Sequence, residues 1–430
     1  MKYFSTRNKL ESNINNAVLK GLAADGGLFM PEQIPVLPKE FFDTIEEKTL
    51  PEIGFVVAKA FLEDSVPDEV LKPMMEEVLN FEIPAVKVKE NIYSLELFHG
   101  PTMAFKDVGA RFMARLMSYF SEGKPMRVIA ATSGDTGSAV ASGFFEVEGI
   151  DVFILYPEGK VSPLQEKQLT TWGKNIKAFE IKGAFDDCQA IAKQLLADEE
   201  LKKQFTLTSA NSINIARLIP QSIYYFWAYA QLKKIGKPIV FSVPSGNFGN
   251  LTAGLFAYKM GLPVEKFVAS TNINNIIPKY LESGKYEPKE SQQTISNAMD
   301  VGNPSNYERM KDLFHDKVES FREIILGYDF TDDQTKEAIK EVYNQTKYIL
   351  DPHGAVAYLG LNKYFQNSES NAVGVLLETA HPAKFLEVVE ETLQQKISVP
   401  EKLEAFNRKE KKSIKCNKDY DEVKKIFKEI

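Results

Sequence analysis

The stretch IVFSVPSGNFGNLTAGLFAYKM, residues 239–260, reads as a strand, a glycine-rich turn and a helix in immediate succession. The apolar run 239–243 shows no polar alternation, so both of its faces are covered, the pattern of a parallel strand inside an α/β protein. The turn SGNFGN (245–250) sets two glycines where backbone can approach a ligand closely. The helix behind it presents unpaired N–H groups and a positive dipole end, which together suit a phosphate. The turn is neither GxGxxG with a downstream acid nor GxxxxGK[ST], which disfavours dinucleotides and nucleoside triphosphates and leaves a phosphate monoester.

Working outward, similar short apolar runs recur at 92–98, 127–132, 152–156, 176–181, 267–270 and 373–379, with helical stretches between most of them. Such runs predict parallel sheets covered by helices on both faces. Residues 1–90 have a different texture: helical patterns, including one at 68–80, broken by Asp25-Gly26-Gly27 and by Pro31, Pro35 and Pro38. The expected division is an accessory N-terminal domain over 1–90, a smaller α/β domain over 91–235 and a larger one over 236–430. The charge-free, aromatic-rich stretch 218–232 is shorter than the ~20 residues of a membrane span and reads as a buried helix. The lysine-rich tail from Asn407, with Lys409, Lys411, Lys412 and Lys415, reads as a solvated helix face.

Composition narrows the function classes. A 430-residue chain with 44% hydrophobic and 26% charged residues is a globular protein of several domains. A net charge of −7 argues against nucleic acid as partner. Two distant cysteines, Cys188 and Cys416, and four scattered histidines outline neither a disulfide framework nor a metal site. The N-terminal MKYFSTRNKLES lacks the apolar centre of a signal peptide, so the expected location is cytoplasmic, with no membrane contact.

A second stretch, FHGPTMAFKD (98–107), places Lys106 among Met103, Ala104 and Phe105 after a Gly-Pro turn. Desolvation depresses a lysine pKa and makes the amine a nucleophile. The alternative is a snorkelling side chain that lays its stem on the core. A third, ATSGDTG (131–137), is another strand-to-helix turn, opening a helix over 138–145, suited to a carboxylate or phosphate through its backbone and the hydroxyls of Thr132, Ser133 and Thr136. Asp135 would itself repel a close anion. A fourth, ETAHPAKF (378–385), ends a strand, where Thr379 faces the crevice in which open α/β sheets bind ligands and its hydroxyl can meet a ring nitrogen. His381 and Lys384 read more simply as satisfying the turn that follows. One lysine, one phosphate cradle and one hydroxyl for a ring nitrogen together point to pyridoxal 5′-phosphate, bound to the lysine as a Schiff base. A dehydrogenase would leave Lys106 unexplained.

In order, these motifs resemble the threonine synthases of the fold-type II pyridoxal-phosphate enzymes. The resemblance also rests on KGLAADGGLFMPEQIP (20–35), YPEGKVSPLQEKQL (156–169), NSINIARLIPQ (211–221), TNINNIIPKYLESGKY (271–286), SNAMDVGNPSNYER (296–309) and DPHGAVAY (351–358), and it covers the chain to about residue 390. The segment 20–35 and SNAMDVGNPSNYER match the synthases rather than the threonine dehydratases. The resemblance implies a tryptophan synthase β-like fold of two parallel-sheet αβα domains and conversion of O-phospho-L-homoserine and water to L-threonine and phosphate. It implies Lys106 and Phe105 at the cofactor, with Gly246, Asn247, Phe248, Gly249 and Asn250 about its phosphate and Thr379 at its ring nitrogen. Thr132, Ser133, Asp135, Thr136 and Gly137 would surround the substrate carboxylate, and Ser212 and Arg217 its phosphate. Lys160, Lys167 and His353 remain open between chemistry and structure. A monomer or homodimer without metal is expected. The competing readings are a serine or threonine dehydratase, which needs no second phosphate site, and a catalytically silent amino-acid sensor.

Overall fold

The computed structural model describes residues 1–132 and 134–430, which form two compact units, each drawn from non-consecutive stretches of chain. One comprises Met30–Gly100 and Leu218–Ser398 with Met1; the other comprises Lys2–Phe29, Pro101–Arg217 and Val399–Ile430. The consecutive segments read from the sequence are therefore interleaved.

The first unit is built on a six-stranded sheet in the order Ile325–Asp329, Lys266–Thr271, Ile239–Pro244, Val373–Glu378, Ile92–Glu96 and Ala85–Lys89. All neighbours run parallel except the last strand, an antiparallel edge. The strand Ile239–Pro244 is buried along its whole length, as its mainly apolar sequence without regular alternation requires. The helix Pro352–Gln366 lies across the sheet, and Gly360 lets it come close, since a Cβ there would stand 1.9 Å from Ser270 Oγ. Ser242 Oγ donates to Ala357 O at 2.7 Å and pairs with Ser270 Oγ at 2.8 Å, tying helix to sheet. In the same unit the helix Leu50–Leu62, started by a Thr49/Glu52 capping box, packs on Asp68–Val78.

The second unit carries a five-stranded, all-parallel sheet in the order Ile414–Asn417, Ile176–Lys182, Ile150–Pro157, Met126–Ala131 and Thr206–Ser209. Helices Lys106–Ser121 and Asp135–Phe144 pack on each other, and a Cβ on Gly143 would lie 2.9 Å from the Ala110 carbonyl carbon. The tail departs from the expected helix face. Residues 414–417 add an edge strand, while Lys411 Nζ is shared between Glu166 and Glu180 at 2.8 Å each. A sheet edge with a free ladder and two carboxylates beside it offered those lysines partners that solvent does not. The final helix, Tyr420–Glu429, buries Val423 and Phe427. Phe427 packs on Phe153 at 4.3 Å between centroids, and the Arg127 guanidinium lies 4.9 Å from its ring and 3.7 Å from that of Phe205. Phe427→Ala is expected to cost about 3 kcal/mol, because the cavity opens beside a buried cation. Urea unfolding measures it, and an unchanged midpoint refutes the packing argument. Both cysteines are free and buried, and burial pushes their thiols up, to about 12 at Cys188 and about 11 at Cys416, consistent with packing rather than reactivity. Among the described residues no helix is long and apolar enough to cross a membrane.

Candidate active site

In the first unit the turn 245–250 lies at the carboxyl end of Ile239–Pro244, beside the parallel strand Val373–Glu378. Ser242 pairs with Leu376, so Ser245 and Thr379 each stand three residues beyond one ladder position, on the same edge of the sheet. That edge is where open parallel sheets bind ligands. Thr379 is buried, just past its strand.

The turn is shaped for an anion. Gly246 has no room for a side chain, since a Cβ would lie 2.8 Å from both Ala298 O and Met299 Cα. Phe248 adopts φ +59°, a left-handed conformation that costs a bulky residue of the order of 1 kcal/mol. It caps the helix Gly249–Lys259 without a side-chain hydrogen bond, leaving the first N–H groups of an eleven-residue helix to an outside acceptor. The helix thus begins at Gly249, ahead of the apolar residues. Asn250 is buried with its Oδ1 held by the Tyr225 hydroxyl at 2.9 Å, and its Nδ2 has no partner among the described residues. An orphaned buried donor beside a cap without a side chain fits a phosphate ester. Asn247 turns its side chain away, its Oδ1 accepting from Ser305.

Behind this edge lies a buried acid pair. Glu378 accepts from Asp351 N–H at 2.7 Å, and burial together with the Asp351 carboxylate holds its pKa well above the usual range. Asp351 caps Pro352–Gln366 and contacts His353 Nδ1 at 2.6 Å. His353 Nε2 accepts from Ala298 N–H at 3.3 Å, which gives His353 a bracing role. His381 Nδ1 accepts from Ala383 N–H at 3.1 Å, satisfying the turn as its sequence suggested. Lys384 is buried. Burial, then the His99 imidazole, lower the His381 pKa from 6.5 to about 4. The unfolded chain therefore binds the extra proton between these values, and stability contributed by neutral His381 is lost as pH falls from 6.5 through 4. For this partly exposed ring the loss is about 1–2 kcal/mol. His381→Gln should reduce the acid-side fall in urea midpoint by that amount; an equal fall in both proteins contradicts it.

In the second unit Lys106 opens the helix Lys106–Ser121, half-buried, its Nζ 5.6 Å from the Phe105 ring centroid. The preceding turn is rigid. Thr102 donates to Asp107 through N–H at 2.8 Å and through Oγ1 at 2.5 Å, while Gln168 Nε2 donates to Thr102 O at 3.0 Å. Asp107 also places a negative charge in the first turn of the helix, complementing its dipole.

Arg217 is buried, and its Nη1 donates to Ala210 O at 2.8 Å. A Cβ on Gly109 would lie 3.1 Å from Arg217 Nε, so the guanidinium lies against the first turn of the helix that starts at Lys106. The N-terminal segment supports this placement, because Asn214 Nδ2 donates to Val18 O at 2.8 Å, close beneath Gly21. Ser212 is half-buried on the same segment.

The turn after Met126–Ala131 braces itself. Thr132 Oγ1 accepts from Gly134 N–H at 3.0 Å and Gly137 N–H at 2.9 Å, so Thr132 and Gly137 satisfy each other. Asp135 accepts from Gln165 Nε2 at 2.8 Å and is buried. The helix starts at Asp135 rather than at Ser138, because Gly134 at φ +149° completes the reversal by itself. Thr136 is half-buried, and Ser133 lies outside the described residues. Lys160 is exposed, while Lys167 donates to Lys409 O at 2.8 Å and is structural.

Sequence reasoning missed Asp107, Gln165, Gln168, Asn214, Tyr225, Ser305, Asn306 and Arg309. Gln165 and Gln168, three residues apart on one short helix, are both buried and bonded to loops, which their amphipathic spacing does not reveal.

Residues 80–378 match the model of pyridoxal-phosphate dependent enzymes, 2–79 the threonine synthase N terminus and 354–427 the threonine synthase C-terminal region. The chain is 44% identical to threonine synthase of Haemophilus influenzae over 411 residues, 95% of each chain. It is similar to the crystal structure of threonine synthase from Escherichia coli, with a TM-score of 0.93 and 40% identity over all of both chains. It is also similar to the pyridoxal-phosphate-bound threonine synthase of Brucella melitensis, with a TM-score of 0.93 and 34% identity over 100% of this chain and 99% of that one.

Proposed function

The chain belongs to the threonine synthase family of pyridoxal-phosphate-dependent enzymes, and on that premise we propose that its substrate is O-phospho-L-homoserine, converted with water to L-threonine and phosphate. The observation that carries this choice is Arg217: a buried guanidinium laid against the first turn of the Lys106 helix supplies a second phosphate-binding group besides the loop 245–250. A dehydratase acting on serine or threonine has no use for it.

The cofactor, when bound, withdraws electrons from the carbons of the amino acid attached to it. Gly246, Phe248, Gly249 and Asn250 would hold its phosphate, and the Thr379 hydroxyl would meet its ring nitrogen, which a hydroxyl, unlike a carboxylate, does not force to be protonated. Lys106 Nζ, with Phe105 beside it, would anchor the cofactor at rest. Once free, Nζ would take protons from substrate Cα and then Cβ as the γ-phosphate leaves, and would return protons to Cγ and Cα as water adds at Cβ. Thr136 and the backbone of the turn containing Ser133 and Gly137 would meet the substrate carboxylate. Thr132 and Asp135 would keep that turn in shape through the bonds they already make. Ser212 and Arg217 would hold the departing phosphate.

A cytoplasmic monomer or homodimer accommodates this reading, and gel filtration reports which. The test of function is phosphate release and threonine formation from phosphohomoserine, with serine and threonine as competing substrates. Equal amounts of both products support the proposal. Ammonia and keto acid from serine or threonine, without phosphohomoserine turnover, refute it.

A further inference from the structure

The segment SNAMDVGNPSNYER, 296–309, has no part in the roles above, yet it grips the phosphate loop from behind. Ser305 donates to Asn247 Oδ1 through Oγ at 2.9 Å and through N–H at 3.2 Å. Asn306 donates to Asn247 O through Nδ2 at 3.0 Å and through N–H at 3.4 Å. Ala298 O and Met299 Cα close the space behind Gly246.

Asn306 is itself held. Its Oδ1 accepts from Arg309 Nη1 at 2.7 Å, and both residues have no exposed surface. Since the amide oxygen faces the guanidinium, the amide nitrogen must face Asn247 O; Arg309 thereby decides which way round the amide lies. A buried cation is costly to place, and one that orients an amide donor onto a ligand loop has a use beyond packing.

We propose that Asn306, oriented by Arg309, is the positioning residue that fixes Asn247 and with it the left-handed turn at Phe248, so that the loop N–H groups converge on the cofactor phosphate. Phe248 at φ +59° is intrinsically unfavourable and persists because the residue before it is held at both its carbonyl and its side chain. The inference rests on loop 245–250 being the cofactor phosphate site.

The test is made on holoenzyme with the cofactor as its own probe, by its dissociation constant and by the ³¹P resonance of its phosphate. Asn306→Ala and Arg309→Met should each weaken cofactor retention about tenfold or more, the effect of losing one buried, charge-assisted hydrogen bond. Both should move the ³¹P resonance, with kcat falling and the KM for substrate nearly unchanged. Asn303→Ala, in the same segment but bonded to the Tyr286 hydroxyl at 2.9 Å instead of to the loop, should leave both readouts as they are. Wild-type retention and resonance in folded Asn306→Ala overturn the proposal, as does an equal change in Asn303→Ala, which would mark general loosening of the segment. Should the Asn306 and Arg309 variants fail to fold, Ser305→Ala, which removes one hydroxyl from a half-buried residue, carries the same comparison. Gly246→Val separates the two levels. If it abolishes retention while Asn306→Ala and Ser305→Ala do nothing, the positioning role fails alone; if it too changes nothing, the phosphate-loop reading fails and takes the inference with it.

Discussion

Lys106→Ala is expected to lower turnover by about 10,000-fold or more, because in the proposed mechanism it removes the group that would anchor the cofactor covalently and move protons on the substrate. The backbone argument is favourable, since alanine is the best helix former and Lys106 is the first residue of its helix. The turn before it is held by Thr102, Asp107 and Gln168 through bonds in which the lysine amine takes no part. The variant should therefore fold, take up the cofactor without linking to it and lose the absorbance of the linked form together with threonine formation. Lys106→Arg, which keeps a cation that holds its proton, should be equally inactive and so separate charge from nucleophilicity. A Lys106→Ala protein making threonine at the normal rate would end the assignment.

Arg217→Lys is expected to lower kcat/KM for phosphohomoserine by about 1,000-fold, the equivalent of two charge-assisted hydrogen bonds lost in the transition state. Lysine keeps the charge but not the planar fork, so the loss measures geometry rather than net attraction. Gly109→Val should give a similar loss without touching the arginine itself, because the new side chain would occupy the place of the guanidinium, 3.1 Å from Nε at Cβ. Cofactor absorbance should stay unchanged in both, which distinguishes a substrate defect from a cofactor defect. Normal kcat/KM in Arg217→Lys would remove the reason for preferring a phosphorylated substrate.

Some of this architecture is legible because it is local. The strands 239–243, 92–98 and 373–379 announce themselves by predominantly apolar runs without regular polar alternation, the pattern of strands largely covered on both faces. The strands Thr206–Ser209, Ile325–Asp329 and Ile414–Asn417 do not, being short and partly polar, and they pair because a neighbouring strand left a ladder open. The tail lysines read as solvated because nothing within the tail shows that Glu166 and Glu180 flank their destination.

The sequence by itself determined the fold class and the family, and it singled out the turn 245–250 and Lys106 as candidates, because each depends on residue types at fixed short spacings. Only the tertiary structure decided that Thr132 and Asp135 brace their turn, that Arg217 lies against the Lys106 helix, that His353 braces Ala298, and that 296–309 holds the loop at 245–250. A polar side chain can reach whichever partner the packing brings within about 3 Å, and neither the bonds inside a turn nor partners thirty or more residues away leave a periodic trace in the chain.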